Sequence, residues 1–195
     1  MLALVRHHGW PSAGYERAGH PVQHRILQEV ARWTGVRAEA IPTATEGCTA
    51  VTFALPLTAM ALAWARFGVD EAPAAARLRS AMAAHPELVA GTGRLCTELM
   101  AALPHLVLAK VGAAGIYCAA VPELALGVAL KVSDGDSTAS PPALLAVLAA
   151  LVERAGAGDR YDLAPVAHHA ERPIVDTRNA RVGTLRATGG LRFHG

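Results

Sequence analysis

The chain has 195 residues, 52% of them hydrophobic and 17% charged, which excludes a disordered polymer and allows one sizeable core. A net charge of +2 with His neutral is too small for a nucleic-acid or anionic-membrane surface. Three cysteines without paired spacing, Cys48, Cys96 and Cys118, exclude a disulfide framework and point to a reducing, cytoplasmic setting.

In chain order, residues 1–9 read as a helix closed by Gly9, and no cap precedes it. The first residues lack the long apolar run of a signal peptide, so no leader is expected. Trp10-Pro11 and Ser12-Ala13-Gly14-Tyr15 form a loop. His20-Pro21 opens a second helix with proline at its first position, where the missing N–H costs nothing. Val22, Ile26, Val30 and Trp33 give it an apolar face, and Gly35 ends it. Residues 36–56 read as extended or looped, punctuated by Pro42, Gly47 and Pro56. Residues 47–65 carry no charged side chain, but Pro56, three threonines and many alanines make them a poor membrane span. They are expected to form a buried segment.

Helices are expected over 57–67, stopped by Gly68, over 73–84, broken at His85-Pro86, and over 92–103, before Pro104. The pattern then changes. Residues 105–110, 114–121 and 124–132 read as three strands. Their connections are short enough for antiparallel hairpins only. An apolar helix over 137–155 carries Pro141-Pro142 in its first turn and ends at Gly156-Ala157-Gly158. The tail is polar, with a final strand near 182–185. No repeat or linker interrupts the chain, so residues 1–195 read as a single α+β domain. A helix cluster and an antiparallel sheet form its two layers.

Few residues suggest chemistry by themselves. Lys110-Val111-Gly112 places an ammonium near a strand end. It is either a solvent lysine or, as in lysine-x-glycine strands of serine hydrolases, a group that supports a nucleophile or binds carboxylate. Cys48, after Glu46-Gly47, has no flanking CxxC or HxxxH and reads as a buried structural thiol, as do Cys96 and Cys118. Gly91-Thr92-Gly93 precedes Arg94 at a helix N-terminus, where the dipole disfavours a cation. Arg94 therefore needs either an anionic ligand or an acidic neighbour such as Glu87 or Glu98. His7-His8 and His168-His169 are adjacent pairs whose rings are expected to diverge, so neither suggests a metal site. His20 reads as a helix-entry residue. Asp134-Gly135-Asp136 reads as a turn that caps the next helix.

Several strings, in order, resemble one family. They are Gly19-His20-Pro21-Val22-Gln23, Gly47-Cys48, Ser80-Ala81-Met82, Pro86-Glu87-Leu88-Val89-Ala90-Gly91-Thr92-Gly93-Arg94, Lys110-Val111-Gly112-Ala113, Gly115-Ile116-Tyr117, Leu130-Lys131 and Asp134-Gly135-Asp136. The chain resembles the rhizobial-type (class 3) L-asparaginases, the asparaginase II family, from Met1 to about Asp136 and more loosely to Asn179. The resemblance implies a fold related to serine β-lactamases and glutaminases. It implies hydrolysis of L-asparagine, a small-molecule amino-acid substrate, to L-aspartate and ammonia. It implies a zinc site to which Cys48 contributes, a catalytic Lys110, and a substrate cleft lined by Thr92, Gly93 and Arg94. Homodimers are common in the family. No nucleic-acid or membrane partner is implied.

The departures from the pattern matter as much. The family's Ser-x-x-Lys pair occurs nowhere in these residues, and Met1 falls just after the place of its Cys-Ser-Gly-Lys-His string. Asp-Gly-Cys is Glu46-Gly47-Cys48 here, the glycine usual after that cysteine is Thr49, and an acidic position is Ala114. The chain therefore reads as the C-terminal portion of an asparaginase, incomplete and inactive alone because amide hydrolysis needs an activated hydroxyl and an oxyanion site. Two readings compete. One is a non-catalytic amino-acid-binding remnant, or a half-protein needing an N-terminal partner. The other, a different β-lactamase-like hydrolase, rests on fold analogy alone.

Overall fold

The computed structural model describes residues 1–189, 191 and 192. The chain divides into two compact units, Met1–Ala63 and Trp64–Gly195.

The first unit opens with α1 (Leu2–His7), followed by Gly9 at φ +66°. Helix α2 (Pro21–Thr34) begins where His20 leaves extended backbone, and the His20 Nδ1 accepts the Val22 N–H at 3.1 Å. The other ring nitrogen lies 2.7 Å from the Pro11 carbonyl, so one histidine caps the helix and ties down the preceding loop. Buried Gln23 adds a second tie, donating to the Tyr15 carbonyl at 2.8 Å. Gly35, at φ +73°, ends α2 in the left-handed conformation that glycine adopts most easily. These features match the sequence reading.

Residues 36–56 hold structure the sequence did not disclose. Strands β1 (Thr43–Thr45) and β2 (Val51–Phe53) pair antiparallel, with Thr43 opposite Phe53. Three-residue strands are too short for an alternating pattern to register. The expected burial of 47–65 is corrected as well. The stretch splits into a hairpin and the start of α3 (Leu57–Val69), and Leu57 and Leu62 are exposed. Among the described residues, no helix is long and apolar enough to cross a membrane.

The division between units falls inside α3. Gly68 does not stop this helix. It sits within it because a Cβ there would come 3.3 Å from the Cβ of Ala120, tighter than side chains normally meet. The second unit continues with α4 (Pro73–Ala84), the short α5 (Pro86–Ala90) and α6 (Leu95–Ala102). A three-stranded antiparallel sheet follows, β3 (Leu108–Val111), β4 (Ile116–Val121) and β5 (Leu126–Lys131), with β4 in the centre. Helix α7 (Ser140–Arg154) packs on β4 and β5, and α6 packs on β3. The α+β arrangement of helices and antiparallel sheet is the one the sequence implied.

Leu99 and Met100 of α6, Leu108 and Val121 of the sheet, and Leu144 and Leu148 of α7 are fully buried together. Each such side chain contributes about 1.5–3 kcal/mol by leaving water. The strands are shorter than expected at their starts. His105 at φ +64° delays β3, and Ala114 and Gly115, both at positive φ, turn the chain into β4. Helix α7 also starts later. Asp136 accepts the Thr138 N–H and hydroxyl and so closes a turn ahead of the helix instead of capping it. The tail folds into a hairpin, β6 (Glu171–Val175) with β7 (Arg181–Arg186). Its second strand was legible. Its first was not, because Pro173 cannot donate to a ladder and all five of its residues are exposed.

Candidate functional site

Between α5 and α6 the backbone reverses through Gly91 at φ +91° and Gly93 at φ +70°, then straightens at Arg94, the N-cap residue of α6. The expected helix over 92–103 is thus shortened, and Thr92, Gly93 and Arg94 belong to the turn. This turn forms one wall of a cleft of about 280 Å³ within the second unit. Tyr117 of β4, Ser140 of α7, His168, His169 and Arg172 also line it.

The cleft-lining Tyr117 belongs to a buried polar pair. Cys96 Sγ lies 2.8 Å from the Tyr117 hydroxyl and accepts the Val111 N–H at 3.2 Å. Burial pushes both Cys96 and Tyr117 above their ordinary pKa values, with the neighbouring Cys96 thiol raising Tyr117 further. Cys118, also buried, is pushed up to about 11. At neutral pH all three keep their protons, so none is an activated nucleophile.

Arg94 was expected to meet either an anion or an acidic neighbour. Both acidic candidates are engaged elsewhere. Glu87 lies 3.7 Å from His85, and Glu98 lies 2.8 Å from both His168 and His169. Among the described residues Arg94 makes no ion pair, and it is exposed at the cleft wall.

The histidine pair overturns a sequence expectation. His168 and His169 close a 3-10 turn, Ala164–His169, and their rings do not diverge. The ring centroids are 4.2 Å apart, and both Nε2 atoms meet the same oxygen of Glu98, Oε2. The His169 hydrogen bond is the main cause that holds the Glu98 carboxyl below its usual pKa. Nothing in sequence brings this trio together, since His169 and Glu98 stand 71 residues apart.

The remaining candidates lie outside the cleft lining. Lys110 is exposed, and its Nζ donates to the Val111 carbonyl at 2.7 Å. Thr92 is exposed on the turn. Cys48 lies in the β1–β2 loop of the first unit. It is not buried, which corrects the sequence reading, and its thiol donates to Glu46 Oε2 at 3.4 Å. The loop is closed by Glu46 and Thr49 backbone bonds, with Thr49 at φ +69°. A β-branched residue is strained there, and glycine is not, which is why a glycine suits the place after this cysteine. As a zinc site the loop does not fit. Glu46 and Cys48 give two donors, and among the described residues no third His, Cys, Asp or Glu converges on them.

Among curated proteins, none matches the chain. The family model described as L-asparaginase II, however, matches residues 1–187. That span includes the whole Gly91–Arg94 turn, the sheet beneath it and the histidine pair, so the cleft lies inside the matched region: the chain belongs to the asparaginase II family.

Proposed function

We propose that this chain takes part in asparaginase-type amide hydrolysis, L-asparagine to L-aspartate and ammonia, and supplies the wall of the cleft that holds the amino acid's carboxylate. The observation that carries this reading is Arg94. It stands at the cleft wall with no acidic partner among the described residues, and it presents a fork of N–H donors that matches a carboxylate. Gly93, beside it, lets the backbone approach closely because it has no side chain. Arg172, which also lines the cleft, adds a second positive charge.

Lys110 is the proposed catalytic lysine. It neighbours the cleft-lining Val111 in sequence, and its ammonium donates to the Val111 carbonyl. The nucleophile is not in this chain. No serine stands three residues before a lysine, and of the two serines that line the cleft, Ser137 and Ser140, the second donates its hydroxyl proton to the carbonyl of the first. Zinc at Cys48 would need donors beyond Glu46 and Cys48.

The test is ammonia release by the purified chain from L-asparagine, with and without added zinc. The expected result is none above the uncatalysed background. Turnover that titrates with the chain would overturn the assignment of the nucleophile to residues outside it. A second reading, a binding remnant without catalytic partner, shares the Arg94 site. It differs in that a supplied N-terminal half would restore no turnover.

A further inference from the structure

We propose that Glu98, His168 and His169 form a binding site for one divalent transition-metal ion of the zinc, cobalt or nickel kind. The site uses no residue of the Cys48 loop, which belongs to the other unit, and does not depend on the amidohydrolase reading.

The first support is convergence. The carboxylate oxygen and two imidazole nitrogens all lie within 4.8 Å of one another, and each nitrogen is 2.8 Å from the same oxygen. Ligand distances of about 2.0–2.2 Å at tetrahedral angles separate donor atoms by roughly 3.3–3.6 Å. Each nitrogen–oxygen distance therefore needs to open by only about 0.5–0.8 Å to admit an ion. The N–H groups that now face Glu98 then give way to nitrogen lone pairs, because a metal takes imidazole in its neutral form.

The second support is chemistry. Two imidazoles and one carboxylate suit zinc and its neighbours. An all-oxygen set would suit magnesium or calcium instead. The third is rigidity. Glu98 stands on α6, whose Leu95, Cys96, Leu99 and Met100 are all buried, and the histidine turn is pinned by buried Val166. The His169 side chain is only 15% exposed, whereas His168 is 62% exposed, so one ligand is fixed and one can adjust. The fourth is access. Both histidines line the same cleft as Arg94, and a metal held by three protein donors keeps a fourth position open.

The competing account is a trio that shares only a proton, with a charged imidazole between carboxylate and solvent. The two differ in what a metal titration reads. In a Cys48→Ser background, which removes the exposed thiol, calorimetric titration with zinc chloride is expected to show one equivalent bound with micromolar affinity or tighter. His168→Asn, at an exposed position that leaves the core intact, should weaken it at least about tenfold. Glu98→Gln should do the same. Cobalt should give a visible absorption of nitrogen and oxygen ligation that His168→Asn abolishes. Absence of stoichiometric binding, or an affinity unchanged in both His168→Asn and Glu98→Gln, would overturn the proposal.

Discussion

Each of the two units is stabilised internally by different physics. In Trp64–Gly195 a continuous core joins α6, the sheet and α7, with Leu99, Met100, Leu108, Leu144 and Leu148 out of water. In Met1–Ala63 the buried apolar residues are few, Val5, Val22, Ile41 and Ala50, and buried polar groups stand among them. There His20 and Gln23 hold the loop before α2 by hydrogen bonds to Pro11 and Tyr15. The lesson concerns where a site can be built. The cleft rests on side chains whose burial fixes them, while the Cys48 loop rests on a hairpin with a strained Thr49.

The largest way to break this contrast is Leu99→Ala. It empties the second unit's core and should cost about 2–5 kcal/mol, read as lost amide protection across β4 in hydrogen exchange. His20→Ala, the counterpart in the first unit, removes a cap and a loop tie and should cost about 1–2 kcal/mol, read in α2. A comparable loss from the two substitutions would contradict the contrast.

Next come two glycines at similar backbone angles. In Gly115→Ala, φ +73° combines with a Cβ placed 2.7 Å from Val132, so strain and a clash add to about 2–4 kcal/mol. In Gly9→Ala, φ +66° has nothing within 4 Å, and only the backbone term of about 1 kcal/mol remains. Denaturant titration followed by hydrogen exchange in each turn separates the two. The smallest effect is a gain. Thr49→Gly relieves a β-branched residue at positive φ and should stabilise the β1–β2 loop by up to about 1 kcal/mol, seen as slower exchange of the Glu46 amide.

Legibility followed locality. Helices α2 and α4 could be read because proline opens each and glycine or a His-Pro break closes each. The β3–β4–β5 meander could be read because apolar runs alternate with short glycine or proline turns. The β1–β2 pair could not, since three residues carry no period. Nor could β6, whose proline and full exposure hide a strand. At the site, the turn around Arg94 was visible because its glycines and arginine are contiguous. The Glu98 cluster was not, because the spacing rule for adjacent residues says nothing of a 3-10 turn that folds both rings back onto one carboxylate.

The central claim is that Arg94 holds a carboxylate in this cleft. The measurement is calorimetric titration of the purified chain with L-aspartate, repeated on Arg94→Gln, a substitution at an exposed turn position that leaves the buried core untouched. The account predicts saturable binding by the native chain and a loss of at least about tenfold in Arg94→Gln, the cost of removing a charge-assisted pair. No binding by the native chain, or equal binding by both, would contradict it.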